Sequence, residues 1–155
     1  MNRILISLTA AFLFVASTLA QSGAVRSIRE YRQANENRLL GDFVEFLSIP
    51  NVASDQSNIY RNADYLVDRM KRSALNPRLL TLSDKGASPP VVYGEWLMPG
   101  ATQTVIFYAH YDGQPVAPAE WTTPPWQPVF RDKPVEQNGR AVQLPAAGPI
   151  DPEWR

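Results

Sequence analysis

Nine of the 14 prolines fall in the last 43 residues, at positions 115, 118, 124, 125, 128, 134, 145, 149 and 152. Proline lacks an amide donor and its ring clashes with the preceding helical turn, so no helix runs through this part of the chain. Regular helix is confined to what lies upstream. From Ala24 to Leu47 the residues alternate with helical spacing, and Leu40, Phe43, Val44 and Leu47 form an apolar stripe. Pro50 stops this helix near Ser48. Arg26, Arg29 and Arg32 share its N-terminal half and read as a solvated face. Asp55, Ser57 or Asn58 caps a second predicted helix reaching about Ala74, with Ile59, Ala63, Leu66, Val67 and Met70 on its core face. Asn76-Pro77 ends it.

Three extended runs follow, Arg78 to Leu82, Val91 to Leu97 and Thr104 to Ala109, separated by turn-forming stretches at 83–90 and 98–103. The third contains Val105-Ile106-Phe107-Tyr108-Ala109, apolar without a break, the pattern of a strand covered on both faces in a mixed or parallel sheet flanked by helices. The predicted class is α/β. Further on, Asn138-Gly139 between Val135-Glu136-Gln137 and Arg140-Ala141-Val142 predicts a two-residue type I′ hairpin, because Asn-Gly tolerates positive φ. No internal repeat is visible.

The first 20 residues read as an address. Asn2 and Arg3 precede a run from Ile4 to Val15 whose only polar members are Ser7 and Thr9, and Ala16-Ser17-Thr18-Leu19-Ala20 places small residues before Gln21. This is the pattern of a secretory signal peptide, and the apolar stretch is shorter than the roughly 20 residues that cross a bilayer. A secreted or periplasmic domain of residues 21–155, free of the membrane after cleavage, is the expectation. The chain holds 15 Lys+Arg against 15 Asp+Glu, with Arg3 the only charge before Gln21. A near-neutral domain has no charge surplus to neutralise a phosphate backbone, so nucleic acid is excluded as a partner, and a polybasic membrane patch with it. With no cysteine there is no disulfide framework, thiolate nucleophile or sulfur-held metal.

The single histidine, His110, stands at the end of the apolar run, followed two residues later by Asp112. Ligand sites of open α/β sheets gather beyond the carboxyl ends of strands, so this location can reach a crevice. In an extended segment the two side chains point the same way. Asp112 can accept a hydrogen bond from one ring nitrogen and leave the other for a metal, although His-x-Asp taken bare is more often structural or incidental.

The flanks weigh in favour of function. Tyr108-Ala109-His110-Tyr111-Asp112-Gly113-Gln114-Pro115-Val116, followed by Glu120-Trp121, Pro124-Pro125-Trp126, Pro128-Val129 and Arg131-Asp132, resembles the first metal-binding region of the zinc-dependent peptidases and deacylases. That family includes carboxypeptidase G, carnosine dipeptidase, acetylornithine deacetylase and succinyl-diaminopimelate desuccinylase, and the likeness is greatest to its dipeptidase branch. Upstream, Phe46-Leu47-Ser48-Ile49-Pro50-Asn51-Val52 is similar to the end of the family's first helix, and Arg61-Asn62-Ala63-Asp64-Tyr65-Leu66 to its second.

The resemblance implies the N-terminal part of a three-layer catalytic domain with a mixed, partly parallel sheet. It implies His110 as ligand to one of two zinc ions, cobalt or manganese being possible substitutes, and Asp112 as the active-site residue that orients it. The implied reaction is hydrolysis of dipeptides or N-acyl amino acids by a metal-activated water, in a protein whose complete form can be a homodimer. The family's bridging Asp, Glu-Glu pair, further acidic ligand and second His have no counterpart: Asp132 and Asp151 are not in acidic pairs, and Glu153 stands alone before Trp154. The chain is therefore expected to stop shortly before the bridging Asp and to be inactive alone, since zinc normally needs three or more protein ligands.

Other chemistries find less support. Gly86-Ala87-Ser88 runs into Pro89-Pro90, unlike a nucleophile elbow, and no glycine-rich phosphate loop exists. Trp121 and Trp126 in the proline-rich loop read as anchors that pack it onto the domain. The alternative reading of the whole chain is a non-catalytic exported binding module, or enzyme remnant, that uses this loop for contacts.

Overall fold

A computed structural model describes residues 2–82 and 88–154, with side chains from residue 23 onward. Residues 83–87 of the expected turn, including Gly86 and Ala87, lie outside the described residues, as do the side chains of the expected signal segment. Helix α1 (Asn2–Leu47) begins well before Ala24. No proline precedes Pro50, and isolated glycines such as Gly23 and Gly41 cost a helix only about 1 kcal/mol each. Its end falls where Pro50 requires: the Ser48 amide donates to Val44 O at 3.1 Å and Glu45 O at 3.2 Å. Among the described residues no helix is long and apolar enough to cross a membrane.

The chain divides into two units, Met1–Gly41 with Leu144–Pro152, and Asp42–Gln143 with Glu153–Arg155. In the first, Asn37 Nδ2 donates to the Pro145 carbonyl at 2.6 Å. Arg26, Arg29 and Arg32 are exposed, and Arg32 pairs with Glu36 one turn on.

The second unit holds helix α2 (Gln56–Arg72), and its start follows from one side chain. Asp55 accepts from the Asn58 amide at 3.2 Å and from Asn58 Nδ2 at 2.6 Å, satisfying an N-terminal donor that has no helical partner. Ile59 and Ala63 are fully buried, while Leu66, Val67 and Met70 are half-buried. Asn62 is buried between them and spends its amide on Pro50 O and Asn58 O, both at 2.8 Å, so a polar group in the core is satisfied. The apolar stripe expected on α1 needs correction. Phe43 and Leu47 are exposed, and contact with α2 runs instead through Phe46 stacked on Tyr65 at 5.5 Å and Asp42 paired with Arg69 at 2.7 Å.

Strand β1 (Arg78–Leu80) pairs antiparallel with β2 (Val91–Tyr93), placing Arg78 opposite Tyr93 and Leu80 opposite Val91, and α2 packs on both. The remainder of the second extended run leaves the ladder, with Trp96 and Leu97 exposed.

The third run is a larger departure. Residues 101–110 form no strand, and Val105, Ile106, Phe107 and Tyr108 are 74%, 85%, 93% and 82% exposed. Burying both faces of a strand requires a layer on each face and neighbours on each edge, and none of the described residues pairs with it.

The predicted hairpin is also displaced. The ladder joins β3 (Phe130–Arg131) to β4 (Ala141–Val142), and Val135–Gln137 is a single 3-10 turn rather than a strand. Asn138 takes the positive φ foreseen for it, 57°, but as the cap of that turn; a type I′ pair would need positive φ at Gly139 too, which it lacks. The chain thus mixes helices with small antiparallel sheets, and an isolated bridge between Val52 and Gly113 is parallel.

Candidate functional site

The site is built on the extended segment that carries His110. With side chains alternating along such a backbone, residues 108, 110 and 112 share one side and Tyr111 faces the other. On the shared side His110 Nδ1 lies 3.0 Å from Asp112 Oδ1, the neighbour relationship that the spacing allows, and Tyr108 Oη lies 3.1 Å from His110 Nε2. A carboxylate accepts, so the tautomer with Nδ1–H donates to Asp112, and in that tautomer Nε2 can accept from the Tyr108 hydroxyl. The Tyr108 and His110 rings meet edge to face at 5.3 Å. The array is open to solvent, with the His110 side chain 70% and the Asp112 side chain 40% exposed.

Two attachments fix the C-terminal end of this segment. Tyr111, on the opposite side, donates its hydroxyl to the Pro90 carbonyl next to β2, and burial, followed by the charge of Asp112, raises its phenol above the ordinary value. Gly113 is bridged to Val52: its amide donates to Asn51 O at 2.7 Å, and its carbonyl accepts from the Ala53 amide at 3.0 Å. Asn51 Nδ2 adds a bond to Tyr111 O at 3.4 Å across 60 residues of sequence. The two segments singled out in the sequence, Phe46 to Val52 and Tyr108 to Val116, are therefore joined where His110 and Asp112 stand. Asn51 and Tyr108 were not recognised as site residues from sequence. Two-residue alternation back from His110 would have found Tyr108, whereas no local signal marks Asn51.

The array does not make up a zinc site. Among the described residues no group of three or more His, Cys, Asp or Glu could hold a metal ion. His110 offers one nitrogen beyond the one held by Asp112, and Tyr108 lies on it. Asp132 stands elsewhere, receiving the Arg140 amide at 2.7 Å and its guanidinium at 3.0 Å. Those bonds hold its carboxyl below the ordinary range. In the proline-rich loop Trp126 is half-buried, as an anchor would be, while Trp121 is exposed. Comparison with models of protein families, with curated proteins and with solved structures finds no match to this chain.

Proposed function

We propose that this chain carries the His-Asp element of an exported, metal-dependent hydrolase of amide bonds, a dipeptidase or N-acyl amino acid deacylase built on a three-layer α/β domain with a partly parallel sheet. The observation that carries this reading is the 3.0 Å pairing of His110 Nδ1 with Asp112 Oδ1. It falls inside the Tyr108 to Val116 segment, bridged through Gly113 to the Phe46 to Val52 segment that resembles the same enzymes. In this reading His110 is a metal ligand through Nε2 and Asp112 fixes its tautomer and ring orientation. The acidic ligands such a site needs come from outside this array. Zinc is the metal expected, with cobalt or manganese as substitutes. Export rests on Asn2-Arg3, the apolar run after them and the small residues before Gln21.

The full reading frame, expressed with its own leader and supplied with zinc, cobalt or manganese, should hydrolyse dipeptides or N-acyl amino acids, and His110→Ala should abolish that activity. Equal hydrolysis by the variant refutes the assignment. Mass spectrometry of the exported chain should find Gln21 at its start, and an uncleaved leader refutes export by this route.

A further inference from the structure

Asn138-Gly139 is the one Asn-Gly step in the chain. Asparagine is a chemically labile residue, and most so before glycine, whose nitrogen closes on the carboxamide carbon with no Cβ in the way. The Gly139 nitrogen bonds to Asn138 Cγ, ammonia leaves, and a five-membered succinimide results. Water then opens the ring at one carbonyl or the other, giving aspartate or isoaspartate.

The structure holds the two reacting groups in opposite states. Asn138 is exposed, whereas Gly139 is buried. The Gly139 amide donates to the Pro134 carbonyl at 3.1 Å, and the Gly139 carbonyl accepts from Arg131 Nη1 at 2.9 Å. Ring closure also needs the Gly139 nitrogen turned to the side of Asn138 Cβ. At φ 57° and ψ 38° for Asn138 it lies nearly opposite, across the Cα–C bond. Turning that peptide breaks the bond to Pro134 and meets Lys133, whose carbonyl oxygen stands 1.8 Å from where a Cβ on Gly139 would fall.

We propose that Asn138-Gly139 is a modification site guarded by the β3-β4 turn: succinimide forms, with loss of ammonia, from the opened turn and is held back while the turn is closed. Asp132 keeps it closed, accepting from the Arg140 amide at 2.7 Å and from its guanidinium at 3.0 and 3.1 Å, while the Asp132 amide donates to the Arg140 carbonyl at 3.1 Å. Isoaspartate runs the main chain through the former side chain and so adds a methylene to the turn. With Lys133 this near, the lengthened turn does not reclose. The site is independent of the proposed hydrolase chemistry.

Mass spectrometry of peptides from the full chain, incubated at mildly alkaline pH, follows the mass gain at residues 138–139. In concentrated urea at the same pH and temperature the reaction should run about tenfold faster or more than in the native chain, because several hydrogen bonds hold the folded turn closed. Asp132→Ala should speed it about three- to tenfold in the folded chain and lower exchange protection of the Gly139 amide by a matching factor. Asn138→Gln, which would have to close a larger ring, should show no gain.

Equal rates in the native chain and in urea overturn the guarding, and an undiminished mass gain in Asn138→Gln overturns the site. Should circular dichroism show Asp132→Ala unfolded, Arg140→Ala removes the guanidinium bonds alone from a side chain 87% exposed, and should accelerate the reaction less but in the same direction. No acceleration in a folded variant overturns the part given to Asp132 and Arg140. The isoaspartate product, once purified, should lack exchange protection at the Asp132 amide, and retained protection would overturn the failure to reclose.

Discussion

Gly113 and Asn51 lie so close that a Cβ on Gly113 would stand 2.9 Å from Asn51 Oδ1 and 3.2 Å from its Cγ, while the Gly113 amide bonds the Asn51 carbonyl at 2.7 Å. This contact seats the residue next to Asp112 on the loop after α1. Glycine is needed here for approach rather than for an unusual φ.

Gly113→Ala should therefore push the Asn51 carboxamide aside. The obstacle is the end of a short side chain, so the penalty is modest, about 1 kcal/mol. Asn51→Ala removes the obstacle, and the same Gly113→Ala change made in that background should cost distinctly less. Denaturant midpoints of the four proteins in this cycle measure the coupling. Additive effects would mean that the two residues are not in repulsive contact. The His110 imidazole resonances should shift in Gly113→Ala as its segment loses register.

Gly139 poses a harder constraint of the same kind. A Cβ there would fall 1.8 Å from the Lys133 carbonyl oxygen and 2.6 Å from its carbon, and main chain cannot swing away as a side chain can. Gly139→Ala should open the β3-β4 turn at a cost of about 3 kcal/mol. Loss of hydrogen-exchange protection at the Asp132 and Arg140 amides, which bond the Arg140 carbonyl and Asp132 Oδ1, would report it. By contrast, a Cβ at Gly94 would meet Met70 Sδ at 2.8 Å, the flexible part of a thioether chain, and Gly94→Ala should be tolerated far better.

What was legible in the sequence is local. Pro50 stops a helix by a rule that needs no tertiary context, Asp55 caps α2 through a side chain three residues from its partner, and the His110-Asp112 pairing follows from two-residue alternation, whereas α2 already ends at Arg72, with Ala74 at φ 56°, before Asn76-Pro77 is reached. What failed depends on partners far along the chain. Asn138 takes the expected positive φ, yet the residues paired across the turn are Phe130–Arg131 and Ala141–Val142, with both carboxylate oxygens of Asp132 on Arg140, and the dipeptide does not reveal them. Phe46 displaced Phe43 as the contact of α1 because Tyr65 stands on that side. Gly113 meeting Asn51 required a parallel bridge that no local pattern encodes.

Two carboxylates should contribute to the acid end of the stability curve. Asp55 is held below its ordinary 3.8 by bonds from the Asn58 side chain and amide, and Asp132 below the same 3.8 by the Arg140 amide and side chain. The unfolded chain therefore binds protons at these positions more readily than the folded chain. Their stabilisation is fully present above the unfolded value and is lost as pH falls through the lower folded values. Thermal midpoints should decline from about pH 4 downward. Asp55→Asn retains a capping oxygen and should flatten part of that decline, while Asp132→Asn should flatten another part. An identical acid profile in both variants would contradict this account.

The extended run before His110 yields the last expectation. Val105 to Ala109 contains no charge and no proline, and its exposed apolar side chains, with a backbone that joins no strand among the described residues, meet the conditions under which identical segments of separate chains form intermolecular ladders. A charge in the run should block that route at little cost, because Phe107 is 93% exposed and so contributes almost no burial to the fold. Phe107→Lys should lower light scattering of concentrated samples and leave the unfolding free energy within about 0.5 kcal/mol of the native chain, as surface substitutions do. Had the run been a buried central strand, the same change would place an unpaired ammonium in hydrocarbon and unfold the protein. Light scattering and a denaturation curve on this one variant thus separate an exposed segment from a covered one.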